Sequence, residues 1–214
     1  MGTIAVIGFT GFAGGHITEE ALRRGHEVIG VSRTGSADPR PGVSVRQGDI
    51  GDVALLATLA AEADTVVVAV HGAANGQPYL ASLVPALLDA VVAGDARLGV
   101  VGGASSLDVA RGGPRLFDTP EFPEMFKVEA QAHIAVLEAL RSSDAEADWF
   151  YVSPSATFGA YAPGERTGAY RTGDDVLLVG PDGNSFIGGA DFAIAVLDEI
   201  ENPVHHRTRF TVGY

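Results

Sequence analysis

The stretch Thr3-Ile4-Ala5-Val6-Ile7-Gly8-Phe9-Thr10-Gly11-Phe12-Ala13-Gly14 decides the fold. Its first five residues form an apolar run with two β-branched isoleucines and a valine, the pattern of a strand buried on both faces. Glycines fall at 8, 11 and 14, and a helical stretch over 12–24 follows. Ile17 and Ala21 lie one turn apart in it, and Gly25 stands where a helix-ending glycine belongs. The spacing gives each loop glycine a task. Gly8 permits the tight turn out of the strand, Gly11 lets a pyrophosphate approach the backbone, and Gly14 lets the helix pack closely. The helix start then offers free N–H groups and a positive dipole end to phosphates. The usual dinucleotide spacing would place glycine at 10 and 13. Thr10 and Ala13 make this a variant, and the lack of any Gly-Lys-Ser/Thr excludes a Walker loop.

Outward from this turn, short apolar runs alternate with longer helical ones. Strands are expected at 27–32, 43–47, 64–70, 97–101, 148–152 and 207–212. Helices are expected at 52–60, with Asp52 as N-cap, and at 79–93, 121–143 and 190–201. Residues 176–187 read as a hairpin around Pro181-Asp182-Gly183-Asn184. The alternation implies an α/β fold: a single Rossmann-type doubly wound parallel sheet with a small C-terminal cap. We read residues 1–214 as one NAD(P)-binding domain, with about 153–189 capping the crevice at the strand ends. Trp149, Phe150 and Tyr151 read as core, and the adjacent His205 and His206 as surface.

Composition narrows the function. Glycine and proline together make 39 of 214 residues, from 28 and 11. That share is below the roughly 25–30% of low-complexity chains, so the glycines punctuate a folded domain. A net charge of −13 disfavours a nucleic-acid partner. The absence of cysteine removes disulfides, thiolate nucleophiles and cysteine-based metal sites. With no basic leader and no long uncharged apolar run, the chain reads as cytoplasmic and without a membrane partner. A monomer or a homodimer is expected.

Strand two ends Val31-Ser32-Arg33-Thr34. No acid stands at its tip, the first one downstream being Asp38, and Arg33 lies 19 residues after Gly14. An arginine here accommodates a ribose 2′-phosphate where an acid would bond the 2′-hydroxyl, so NADP(H) is expected over NAD(H), with Ser32 beside it. After strand three, Asp49-Ile50 stands where a carboxylate meets an adenine amino group, although Asp49 suits a turn or cap equally. His71-Gly72 after strand four falls alongside the nicotinamide ribose; His71 reads as a cofactor donor, a pocket wall or a packed ring.

These segments, with VVGGASSL, FPEMFKVEAQAH, SPSATF and DFAIAVLDEIENPVHHRTRFTVGY, resemble the atypical short-chain dehydrogenase/reductases. The group they most resemble is the small NADH-flavin reductase-like NAD(P)H-binding proteins, relatives of flavin reductase/biliverdin reductase B and of NmrA-like proteins. The resemblance implies a single Rossmann domain, NADP(H) binding and hydride transfer to a flavin- or quinone-like acceptor. It maps Gly8, Thr10, Gly11, Phe12 and Gly14 onto the pyrophosphate loop and Arg33 onto the phosphate reader. It also maps Gly102-Gly103-Ala104-Ser105 onto the loop whose serine stands near the reacting carbon. Phe126, before Lys127, departs from relatives that carry tyrosine there.

The usual reductase dyad is Tyr-x-x-x-Lys, in which tyrosine protonates the carbonyl oxygen and lysine lowers its pKa. Lys127 is the only lysine, and the residue four before it is Pro123, so the dyad is absent. This argues against ordinary ketone reduction and sugar epimerisation. Flavins and quinones accept hydride with little more than orientation, so a small planar acceptor fits. Ser105 and Ser106 read equally as partners of an acceptor carbonyl or as caps of the turn. Lys127 reads as a ribose contact or an exposed charge. Phe117, Phe122, Phe126, Phe158 and Tyr161 read as stacking surfaces for a planar ring or as a seal beneath long loops. A non-catalytic NADP(H)-binding sensor is the alternative, and a tailoring reductase or isomerase a third reading.

Overall fold

The computed structural model describes residues 1–35 and 40–214. The strands are β1 (Thr3–Ile7), β2 (Glu27–Ser32), β3 (Val43–Gln47), β4 (Thr65–Val68), β5 (Arg97–Val101), β6 (Trp149–Pro154), β7 (Arg171–Gly173) and β8 (Thr208–Gly213). The helices are α1 (Phe12–Arg23), α2 (Val53–Glu62), α3 (Tyr79–Gly94), α4 (Lys127–Ser142) and α5 (Gly189–Glu201). One sheet runs in the order β3-β2-β1-β4-β5-β6-β8-β7. Every pairing is parallel except that of β7 with β8. The order reverses direction between β1 and β4, so a crevice opens at the carboxyl ends of those strands, beside Gly8.

Alternate residues of each central strand feed opposite layers, as the period of two requires. Ala5 and Ile7 of β1, with Trp149 and Tyr151 of β6, pack under α2, α3 and α4 through Leu59, Leu87 and Leu137. Ile4 and Val6, with Phe150 and Val152, face α1 and α5 through Ile17, Phe192 and Val196. This explains the unbroken apolar runs, and it places the expected Trp149-Phe150-Tyr151 segment in the core. Some glycines serve this packing sterically. A β-carbon on Gly30 would lie 2.7 Å from the ring of buried Phe9, and one on Gly102 would intrude into the ring of Tyr151.

Several sequence expectations are corrected. The helix expected at 121–143 begins only at Lys127. Pro120 and Pro123 disfavour helix before them, Pro123 itself is extended (ψ 129°), and a single 3₁₀ turn covers Glu124–Phe126. No hairpin ladder forms over 176–187. Val176 bridges Asp108 and Phe186 bridges Thr157, leaving a turn closed by Gly180 and Asn184, whose N–H···O distance is 2.7 Å. The missed strand β7 instead pairs with β8. Gly94 lies inside α3, its missing side chain admitting the Ala60 backbone, and Asp95 takes the left-handed cap (φ 55°). Asp52 caps α2 as expected, with Oδ1 accepting from the amides of Ala54 and Leu55. Gly25 follows α1 at φ 83°.

His205 is not a free surface residue. Its ring stacks 4.2 Å from Phe210, and Nδ1 lies 2.6 Å from Glu199 Oε2. The other Glu199 oxygen meets Arg97 at 2.6 Å, while Arg97 also binds Asp148, so one buried cluster joins β5, α5 and the start of β6. His206 remains exposed.

Candidate cofactor site

The phosphate loop is built from Gly8. Its amide donates to Val31 O at 2.9 Å, and its φ of 90° turns the chain away from the sheet. The Gly11 amide donates back to Gly8 O at 2.9 Å, and α1 starts at Phe12. A β-carbon on Gly14 would lie 2.8 Å from Gly8 C and 3.1 Å from Phe9 Cα, so only glycine lets α1 approach. Gly11, at the N-cap, has no side chain to cap the helix, and no acid occupies the first turn. The free N–H groups therefore face the crevice as an anion cradle that fits a pyrophosphate. Thr10 and Gly11 are exposed on the loop. The Phe12 ring is held edge-on by Phe158 at 5.2 Å, which in turn contacts Phe192 at 4.5 Å.

At the tip of β2, Gln47 Nε2 donates to Arg33 O at 3.0 Å and the Gly48 amide donates to Ser32 O at 3.1 Å. Arg33 itself is exposed. Ser32 Oγ is buried with no hydrogen-bond partner among the described residues, an orphan that a ligand hydroxyl or phosphate would satisfy. Asp38 lies outside the described residues. Arg40, unremarked in the sequence, brings a second guanidinium to this side: Nη1 donates to Gly15 O at 3.1 Å, in the first turns of α1. Asp49 Oδ1 accepts from the Gly51 amide at 2.9 Å and stands 3.4 Å from the Tyr79 hydroxyl. It closes a turn, and its carboxylate is already engaged by two groups. Ile50 is buried beside it.

Beyond β4, Ala69 and Val70 back the phosphate loop, and His71 is 91% exposed by side chain. Sequence reasoning missed the group that organises this end. Glu129, on α4, accepts from the Gly72 amide at 2.7 Å and the Ala73 amide at 3.1 Å, and it meets His133 Nε2 at 3.1 Å and His71 Nδ1 at 3.3 Å. Burial pushes its carboxyl up, but the His133 ring and the two amides outweigh it and hold it at about 2. A carboxylate on an amphipathic helix ordinarily reads as solvated. Only the fold brings the loop after β4 to it.

The remaining candidates sit near this end in engaged states. Ser105 Oγ is buried and stands 3.4 Å from Ala130 O, to which it donates. Ser106 Oγ accepts from Arg209 at 2.8 Å. Lys127 Nζ pairs with Glu124 at 2.6 Å on the surface. Phe117 and Phe122 pack on each other at 5.3 Å, while Phe126 and Tyr161 are exposed. A concavity of about 420 Å³, lined by Met1, Thr3, His26, Asp64 and Glu201, opens at the opposite, amino end of the strands. Ligands of open parallel sheets bind at the carboxyl ends, so this is not the cofactor crevice. Among the described residues no helix is long and apolar enough to cross a membrane.

Three relatives bear on this geometry. The protein YwnB of Bacillus subtilis, itself described as uncharacterized, is 41% identical over 98% of this chain and 97% of its own length. A Streptococcus pneumoniae protein described as "a putative NADH-flavin reductase" superimposes with a TM-score of 0.88 at 33% identity, covering 100% of this chain and 99% of that one. A Bacteroides thetaiotaomicron structure described as a "putative epimerase" gives 0.85 at 35% identity over 99% and 96%. Residues 8–203 match the NAD(P)H-binding family. Loop, fold and match agree: the chain belongs to the NAD(P)H-binding family, within the atypical short-chain dehydrogenase/reductases.

Proposed function

We propose that the protein is an NADPH-dependent reductase of a small planar conjugated acceptor, a flavin or a quinone. The observation that carries this reading is the glycine-lined start of α1, with Arg40 beside Gly15 and Arg33 exposed at the tip of β2, in a chain whose only lysine has Pro123 rather than tyrosine four residues before it. Phosphate recognition falls to the loop amides, and the two guanidiniums favour a 2′-phosphate over a bare ribose. When bound, the reduced nicotinamide supplies a hydride. The chain's own work is to orient the ring, and such acceptors need no strong acid on the Tyr-x-x-x-Lys pattern. The description of the Streptococcus pneumoniae relative supports the same acceptor class. The reading takes residues 1–214 as one cytoplasmic domain, with 153–189 as the substrate-side cap and a monomer or homodimer as the assembly.

One observation favours the sensor alternative. The Ser105 hydroxyl is spent on Ala130 and Lys127 on Glu124, so neither is free to act in the form described. Following NADPH absorbance with FMN and menadione separates the readings. Turnover supports the reductase; tight cofactor binding without oxidation supports the sensor.

A further inference from the structure

We propose that His71 delivers the proton that accompanies hydride transfer, with Glu129 as the positioning residue that aims its ring. The proposal rests on the reductase reading. The missing dyad leaves the proton donor unassigned. Of the protic groups near the carboxyl ends of β4, β5 and β6, the Ser105 hydroxyl is buried and donates to Ala130, and the Ser106 hydroxyl is bound by Arg209. The Lys127 ammonium is paired with Glu124. The Tyr151 hydroxyl is fully buried and donates to His133 O at 3.2 Å. His71 is more exposed than all four, and than Ser153 on β6, whose unpartnered hydroxyl is fully buried. It follows directly on the two residues that back Gly8, and its side chain is 91% exposed.

Its orientation is fixed by chemistry. Glu129 is ionised and accepts only, so the His71 nitrogen facing it at 3.3 Å, Nδ1, carries a hydrogen. The other nitrogen, Nε2, then points away from the carboxylate and exchanges protons. Glu129 cannot easily swing with the ring, because the Gly72 and Ala73 amides and His133 Nε2 hold it from three other directions. The titratable group facing His71 is Glu129, and behind it stands His133, which also contacts Glu129 from α4. A carboxylate that holds a histidine in one tautomer, with its other nitrogen turned outward, is the arrangement of a general acid. Glu129 already receives these four donors, which leaves it poorly suited to a metal ion.

The step balances. The acceptor gains two electrons with the hydride, and its heteroatom takes the proton from Nε2 of the imidazolium as that N–H bond breaks. The ring, now neutral, regains a proton from water, to which it is open.

The test combines three measurements. In the apo protein, the ¹⁵N shifts of the neutral His71 ring should show the Nδ1–H tautomer, lost in Glu129→Gln; a predominant Nε2–H form in the wild type would overturn the proposal without any turnover being measured. In His71→Ala, NADPH affinity should stay within a few-fold while menadione reduction falls about 100-fold, a typical worth for a positioned acid, and free imidazole should restore part of it. Unchanged turnover, or a loss that imidazole does not repair, would overturn the proton-donor role while leaving the reductase reading intact. A wild-type protein that oxidises no NADPH with either menadione or FMN would overturn both.

Discussion

Gly14 lies against Gly8 so closely that a β-carbon on it would stand 2.8 Å from the Gly8 carbonyl carbon and closer still to its oxygen. The contact joins the first turn of α1 to the exit of β1, and so sets where the helix amides aim. Gly14→Ala should therefore act twice. Overpacking against rigid backbone costs typically about 1–3 kcal/mol, read as a lower midpoint in urea. NADPH affinity should fall as well, because the cradle must open. A mutant with wild-type stability and affinity would show that the close approach is dispensable.

Arg33 should set cofactor preference. On the proposed reading, Arg33→Asp would remove a charge-assisted bond to the 2′-phosphate and add repulsion. A bond to a charged group is worth about 1.5–3 kcal/mol, so NADPH affinity should drop about 10–100-fold. NADH affinity should hold or rise. Arg40→Ala should weaken NADPH less, since Arg40 is also tied to Gly15 O. Titration of both cofactors by fluorescence checks this, and an unchanged NADPH affinity would remove Arg33 from the site.

Asp191 staples the segment before α5 to the C-terminus. It is buried, and it accepts from the Thr167 amide, the Gly168 amide at 2.9 Å and the Tyr214 hydroxyl at 2.6 Å. Asp191→Ala leaves these donors unpaired. Hydrogen bonds to a charged group are worth about 1.5–3 kcal/mol, so a loss of about 2 kcal/mol is expected. Faster hydrogen exchange should concentrate at 163–170. A uniform change across the chain would argue against a local staple.

Acid should expose the Glu129 clamp. Its folded value of about 2 lies below the ordinary 4.5. Its contribution to stability is therefore complete above about 4.5 and is lost as the pH falls from there towards 2. Glu129→Gln should lower stability at neutral pH and flatten this part of the acid limb. Urea unfolding at a series of pH values would show it; parallel wild-type and mutant curves would contradict it.

How much of this was legible in the sequence follows from where each signal resides. The succession of strands and helices along the chain was readable because β1, β4, β5 and β6 are buried on both faces, which forces apolar runs. The phosphate loop was readable because backbone approach needs glycine at fixed spacing. β7 was not: Arg171-Thr172-Gly173 carries no apolar pattern and is a strand only through its ladder with β8. The expected hairpin failed for the converse reason, its apolar residues bridging Asp108 and Thr157 rather than each other. Glu129 and Arg40 were hidden because their partners, at Gly72 and Gly15, lie 57 and 25 residues away and offer backbone atoms, which leave no mark on side-chain spacing.

The most direct measurement of the central claim is an anaerobic single turnover: the protein, NADPH and menadione or FMN, followed by loss of the reduced-nicotinamide absorbance. The expected result is stoichiometric oxidation of NADPH, faster than in protein-free controls and slowed in Arg33→Asp. NADPH bound tightly, with its absorbance unchanged in the presence of either acceptor, would contradict the reductase and leave a cofactor sensor in its place.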